Sequence, residues 1–231
     1  MSTNSSSQTS GSDVAIEAHD IVRTFHIGDN SIEVLKSVSL SVKRGEKMFL
    51  CGPSGAGKTS LLYTLAGLEK PNAGKVVING KSLYSLSRGG QAKVRNSEMG
   101  YVFQSFFLLP ELTAIENVMV PGMLRGRKGR ERALELLDRV GLENRADHLP
   151  TELSGGEQQR VAIARSLMNN PAIIFADEPT GNLDTKTGAS VMDLLMDLAS
   201  EQERTLLVVT HDTELANTGD RKVTLVDGMI E

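Results

Sequence analysis

The sequence predicts an α/β chain: a parallel β-sheet flanked by helices, an antiparallel β segment ahead of it, and a block of helices inserted into it. Three observations predict this. Near the start, VAIEAHDIVRTF and VLKSVSLSVKRGE alternate apolar and polar residues with turn residues between them, as antiparallel strands do. Three short apolar runs, KMFLC, AIIFA and TLLVV, read as buried strands, and helical periodicity precedes or separates them, which is the pattern of a parallel sheet with right-handed crossovers. Between the first and second runs, over residues 105–160, helical periodicity dominates and is broken by several Gly and Pro residues.

Taken in order, residues 1–13, MSTNSSSQTSGSD, are rich in Ser and Thr. They lack both the basic start and the apolar segment of a secretory signal and read as a disordered tail. Residues 14–231 read as one domain. Val14 to Lys47 is strand-rich. KMFLCG is a short strand running into a glycine loop, and KTSLLYTLAGL is a helix closed by Gly67. GKVVINGKSL reads as a hairpin, and EMGYVFQ as a strand ending at Gln104. GRERALELLDRVGL carries the helical pattern of the insertion. PAIIFADE, GASVMDLLMDLASEQE and TLLVVTHD follow as strand, helix and strand, and KVTLVDGMIE closes the chain as a hairpin.

Composition bounds the function. The 231 residues carry a net charge of -4, from 25 basic and 29 acidic side chains, which argues against general nucleic-acid binding. Cys51 is the single cysteine, so no intrachain disulfide forms, as suits a reducing compartment. No apolar stretch approaches the roughly 20 residues that span a bilayer. The expectation is a soluble, intracellular chain whose membrane role comes through a partner.

The stretch GPSGAGKT, formed by Gly52, Pro53, Ser54, Gly55, Ala56, Gly57, Lys58 and Thr59, fits the G-x-x-x-x-G-K-[ST] phosphate-loop pattern in its required strand–loop–helix context. Its glycines let backbone N–H groups face phosphate oxygens. Lys58 adds charge at the β and γ phosphates, and Thr59 offers a hydroxyl to Mg²⁺. Asp177 and Glu178 end a predicted strand at the edge where α/β sheets bind ligands. Asp177 is placed to hold the Mg²⁺ shell and Glu178 to polarise an attacking water. His211 ends another strand at the same edge, placed to bond the γ phosphate or order that water. Gln104, at the border of the insertion, reads either as a solvated strand end or as a carbonyl ligand to Mg²⁺. Phe25 reads either as a core residue or as a stacking platform for a base. A second phosphate element stands about a hundred residues after the loop. Ser154, Gly155 and Gly156 open a helix-like stretch, and free N–H groups at the positive end of a helix attract an anion.

In order and spacing these motifs resemble the ATP-binding cassette of ABC transporters, a likeness covering Val14 to Glu231. Gly52 to Thr59 match the family's Walker A loop, Gln104 its Q-loop, and LSGGEQ its signature. Asp177 and Glu178 match the Walker B aspartate and the catalytic glutamate, GNLD with Asp184 the D-loop, and His211 the H-loop. Phe25 stands where the family usually has tyrosine. The resemblance implies ATP and Mg²⁺ as ligands, with Glu178, His211 and Gln104 in catalysis and Thr59, Gln104 and Asp177 at the metal. It also implies a head-to-tail homodimer in which Ser154 to Gly156 of one chain cap the γ phosphate held by Lys58 of the other. Spacing alone leaves a fold-back within one chain open.

A finer resemblance, carried by FQSFFLLPELTAIENVMVP, LSGGEQQRVAIARSL and DEPTGNLD, is to the subgroup containing lipoprotein-releasing, MacB-type and FtsE-type cassettes. It implies an ATPase that drives release of outer-membrane-directed lipoproteins, at the cytoplasmic face of the inner membrane and bound to integral membrane subunits of the LolC/LolE kind, without contact to cargo or nucleic acid. MacB-like export and an FtsE-like role in cell division are the alternatives. DNA-acting and ribosome-acting relatives fit less well, since this chain has no long coiled coil, no second cassette and no zinc cysteines. Phe106 to Leu109 are expected to form an apolar dock for the membrane partner. The basic run Arg125, Arg127, Lys128, Arg130 and Arg132 reads as a solvated face, with a face toward anionic lipid headgroups as the alternative.

Overall fold

A computed structural model describes residues 13–28, 30–126 and 129–231. The expected tail, except Asp13, lies outside the described residues, as do Arg127 and Lys128.

Strands β1 (Val14–Ile27) and β2 (Asn30–Lys43) pair antiparallel, and β3 (Lys47–Cys51) leads through the glycine loop into helix α1 (Lys58–Leu65). Strand β4 (Ala73–Ile78) pairs with β1 and turns back into β5 (Lys81–Ser82), completing a four-stranded antiparallel sheet in the order β2-β1-β4-β5. Asn79 and Gly80, both at positive φ, make the β4–β5 turn, the geometry that Asn-Gly favours.

Helix α2 (Arg88–Glu98) was not evident in the sequence. Its segment RGGQAKVRNSE carries two glycines and buries just Val94. What starts it is Ser87, whose hydroxyl accepts the N–H of Gly90 at 3.2 Å. Strand β6 (Met99–Phe103) follows, and then helices α3 (Ala114–Met123), α4 (Arg130–Arg139) and α5 (Gly155–Leu167). Helix α3 opens with a capping box between Thr113 and Glu116. The chain then alternates through β7 (Ile173–Asp177), α6 (Thr185–Ser200), β8 (Thr205–Val209) and the short α7 (Thr213–Ala216). It ends with β9 (Arg221–Val226) and β10 (Met229–Ile230).

The second sheet runs β10-β9-β3-β8-β7-β6, parallel from β9 to β6, with β10 antiparallel at the edge. The terminal hairpin therefore does more than close the chain, because β9 extends the parallel sheet beside β3. The alternation of the buried strands divides two cores. Phe49, Ile174, Ala176, Leu206 and Val208 face the α3–α6 side. Met48, Leu50, Ile173, Phe175, Leu207 and Val209 face α1 and the antiparallel sheet. Each large side chain so buried contributes about 1.5–3 kcal/mol, which holds the strands in one register.

The β9–β10 turn also braces the glycine loop. Asp227 and Gly228 both have positive φ, the Gly228 N–H donates to Ala56 O at 3.1 Å, and its carbonyl accepts from Lys36 N at 2.9 Å. A Cβ on Gly228 would stand 2.5 Å from Val34 O, and one on Gly52 only 2.0 Å from Leu225 O. Backbone packing, as well as phosphate approach, thus demands glycine here. Gly228→Ala is expected to cost about 3 kcal/mol or more in denaturant unfolding, from strain plus the clash. Gly80→Ala, at a similar φ of 77° but with no neighbour within 4 Å, is expected to cost about 1 kcal/mol. Equal losses would contradict the bracing role of the terminal turn.

Candidate active site

Strands β3, β6, β7 and β8 all end at one edge of the parallel sheet. Register sets them flush: Phe103 lies opposite Asp177, Asp177 opposite Val209, and Leu50 opposite Val209. The residues following these ends are therefore brought together by the sheet itself.

Lys58 is buried, and its Nζ donates to the carbonyls of Gly52 and Pro53, both at 2.9 Å. Among the described residues no carboxylate forms a salt bridge with it. Helix α1 begins at this ammonium without a side-chain cap and without an acidic residue in its first turn. A buried cation and an uncompensated helix N-terminus at one point constitute an anion site. A cleft of ≈ 450 Å³ opens over it, lined by Ser54, Gly55, Gly57, Lys58, Thr59, Gln104, Glu178 and His211, with Val34 and Ser60.

Asp177 is buried beneath the cleft and accepts a hydrogen bond from Thr59 Oγ1 at 3.1 Å. Burial pushes its carboxyl above the usual range, opposed by hydrogen bonds from Thr59 and Tyr63. The Tyr63 hydroxyl is in turn raised to about 12, by burial first and by the Asp177 charge second. A buried carboxylate with a neighbouring hydroxyl and the Gln104 amide offers an all-oxygen donor set, which fits a hard divalent cation such as Mg²⁺.

Glu178 has a positive φ of 47°, held by its N–H bond to Val209 O at 3.0 Å. That uncommon backbone conformation turns its carboxylate toward the cleft. His211 Nδ1 lies 2.8 Å from Glu178 Oε2. A carboxylate accepts only, so Nδ1 carries the proton of this pair. Gln104 Nε2 donates to Asn182 Oδ1 at 3.2 Å, and Asn182 Nδ2 donates to Gln104 O at 3.0 Å. The expected Q-loop and D-loop segments are thereby tied together.

Three expected groups stand apart from this cleft. Phe25 does not line it. Its ring is half-buried in β1 opposite Ile32, and the Arg23 guanidinium carbon lies 4.4 Å from the ring centroid. Ser154 caps α5 through a capping box, its hydroxyl 2.7 Å and its N–H 2.8 Å from Glu157 Oε2. These bonds, and then the Arg145 charge, hold Glu157 below the usual carboxylate range. Gly155 and Gly156 begin the helix, so their N–H groups have no intrahelical acceptor. Asp184 is exposed and caps α6 by accepting the Thr187 N–H at 3.1 Å.

Sequence reading missed Val34, Ser60, Tyr63 and Gln159, and it included Asn182 in the GNLD segment without giving it a role of its own. Ser60 was within reach, since it directly follows the phosphate loop in the first turn of α1. Gln159 is fully buried, and its amide donates to Pro179 O at 2.5 Å, linking α5 to the segment after Glu178. Its partner and that of Tyr63, Asp177, are distant in sequence, so no local pattern marks these two.

The chain as a whole is an ATP-binding cassette: residues 35–181 match the ABC transporter family, and the protein belongs to it. Among its relatives, the lipoprotein-releasing system ATP-binding protein LolD of Shewanella oneidensis is 45% identical over 222 residues, covering 95% of this chain and 96% of that one. The ABC transporter ATP-binding protein YbbA of Escherichia coli K12 is 46% identical over 219 residues, covering 94% and 96% respectively. A solved dimeric structure of MJ0796, a bacterial ABC transporter cassette, matches with a TM-score of 0.87 at 44% identity, covering 94% of this chain and 96% of that one. A second structure of that cassette, dimeric in a post-hydrolysis state bound to ADP and Pi, matches with a TM-score of 0.87 at 43% identity.

Proposed function

We propose that this chain is the ATP-hydrolysing subunit of a transporter that releases outer-membrane-directed lipoproteins from the inner membrane. The observation that carries the reading is the 45% identity to LolD across nearly the whole of both chains. The cleft supplies the chemistry. Gly52 to Thr59 wrap the phosphates with backbone N–H groups, and the Lys58 ammonium exchanges its two carbonyl partners for phosphate oxygens. Phe25 stacks on the adenine with the ring face that Arg23 leaves free.

Thr59, Asp177 and Gln104 would hold Mg²⁺. When bound, the ion would supply charge neutralisation to the triphosphate. Glu178 takes a proton from the attacking water, and His211 orients the Glu178 carboxylate through the 2.8 Å contact. Asp184 and Asn182 belong to the segment that meets the partner cassette.

Two cassettes pack head to tail in this reading. Ser154, Gly155 and Gly156 do not line the cleft of their own chain, yet the start of α5 offers unpaired N–H groups to an anion. The γ phosphate of one subunit's ATP is then capped by the other subunit. Ser154 must release Glu157 to donate there. Glu178→Gln is expected to bind ATP but to hydrolyse it at least about a hundredfold more slowly, because an amide cannot accept the proton. With ATP present, light scattering should find this variant dimeric, and adding Ser154→Arg should return it to monomers. A variant that binds ATP yet stays monomeric at high concentration would sink the trans arrangement.

Among the described residues no helix is long and apolar enough to cross a membrane. In this reading, attachment to the cytoplasmic face of the inner membrane runs through integral subunits of the LolC/LolE kind. Their dock is a groove of ≈ 860 Å³ between α2, β6, α3 and α5. Phe107, 61% exposed, and Leu124, 78% exposed, line it, whereas Leu108 packs against the helical core. Of the expected apolar dock at residues 106–109, Phe107 lines this groove, and Leu109, 45% exposed, lies outside its lining. The segment 105–160 would move with this dock as a helical subdomain. Phe107→Glu is expected to lower recovery of the membrane subunits on co-purification severalfold. Normal recovery together with normal lipoprotein release would place the dock elsewhere.

A further inference from the structure

The chain immediately after Gln104 adopts an uncommon conformation. Phe106 and Phe107 are consecutive non-glycine residues in the left-handed region, with φ of 59° and 47°. The Phe107 N–H donates to Ser105 O at 2.6 Å, closing a three-residue turn around Phe106. Such a turn in bulky residues persists only where surrounding groups over-determine it.

Arg165, in the last turn of α5, is the group that does so. Its guanidinium donates from Nη2 to Phe106 O at 2.6 Å and from Nη1 to Phe107 O at 2.5 Å. Among the described residues it forms no salt bridge. Burial lowers its pKa to about 10, so it remains charged at neutral pH. A half-buried cation is therefore committed to two carbonyls of one turn. A planar fork reaches two acceptors at fixed spacing, which a single ammonium does not reproduce.

That turn touches three functional regions. Gln104 is two residues upstream, at the cleft. The tip of the Phe106 ring lies 3.8 Å from where a Cβ of Gly155 would stand, at the start of the signature helix. The Phe107 ring meets Phe103 edge-on at 5.2 Å, and Phe103 meets Tyr63, beside Asp177, edge-on at 6.2 Å. Arg165 and Phe107 themselves line the groove.

We propose that Arg165 is a positioning residue for hydrolysis: by gripping the Phe106 and Phe107 carbonyls it fixes the left-handed turn that holds Gln104 at the metal end of the cleft. The inference rests on the reading of Gln104 as a Mg²⁺ ligand. It assigns to the signature helix a second task, at the end opposite to Ser154, of setting the metal site within its own chain.

The test is steady-state ATP hydrolysis by the full-length chain as a function of Mg²⁺ at saturating ATP, with thermal unfolding measured in parallel. Arg165→Lys keeps the cation and most of the stem. It is expected to raise the Mg²⁺ concentration for half-maximal rate about tenfold, the scale on which loss of an orienting partner weakens a metal site. A purely structural Arg165 would lower the melting temperature and leave the Mg²⁺ dependence where it was, and that result overturns the inference.

Two exposed-site variants keep the test open if Arg165→Lys does not fold. Phe107→Ile, β-branched and disfavoured at positive φ, is expected to shift the Mg²⁺ dependence in the same direction and further than Phe107→Asn, which tolerates that φ. Equal behaviour of the two contradicts the clamp. Gln104→Ala separates the premises. If it leaves the Mg²⁺ dependence unchanged, the metal role of Gln104 falls and the clamp's function with it. If it shifts the dependence while Arg165→Lys does not, the clamp alone is overturned.

Discussion

The site depends on the register of one parallel sheet. Asp177 can reach Thr59 at 3.1 Å only because β7 ends level with β3 and β8. Side chains along a strand alternate faces. A slip of one residue would therefore turn Phe175 and Ala176 to the wrong cores and carry Asp177 away from the glycine loop. The two cores fix that register, since each strand inserts side chains into both. Stability and chemistry thus share one geometric requirement. The terminal β9–β10 hairpin belongs to it as well, because it pads the underside of the loop through Leu225 and Gly228.

Two helix starts in the chain carry opposite electrostatics. Helix α1 opens with Lys58 and has no acidic residue in its first turn. Helix α5 opens with Ser154 already bonded to the carboxylate of Glu157, which Arg145 Nε meets at 3.3 Å. The first serves as the primary phosphate site in the proposed reading. The second is partly satisfied within its own chain, so a phosphate must compete there with an internal carboxylate. A weaker, competing site suits a contact that forms when two cassettes meet and dissolves after hydrolysis.

The fold and the centre of the site were legible in the sequence because both rest on local signals. The strand runs alternate or stay apolar, the phosphate loop is contiguous, and Asp177, Glu178 and His211 each lie at the C-terminal end of a strand or just beyond it. What escaped reading depends on contacts between distant positions. Helix α2 has weak intrinsic propensity and is held by its Ser87 cap. Tyr63 matters through Asp177, Asn182 through Gln104, and Arg165 through two carbonyls some sixty residues earlier. Backbone carbonyls carry no side-chain signature, so an arginine that serves them looks like any helix-surface arginine. The apolar run after Gln104 was visible as a patch, yet its left-handed turn was not, because phenylalanine gives no hint of positive φ.

The central claim is that hydrolysis needs the phosphate loop of one chain and the signature of another. Mixing two inactive variants tests it most directly. Lys58→Ala removes the phosphate cation, and Ser154→Arg blocks the start of α5. In a mixed dimer one of the two sites joins the intact Lys58 of one chain to the intact Ser154 of the other, while the second site carries both defects. The account predicts that each variant alone is inactive and that the mixture regains ATP hydrolysis as the two are combined. A mixture that stays inactive, although the two chains are shown to associate, would contradict it and return Ser154 to its own chain.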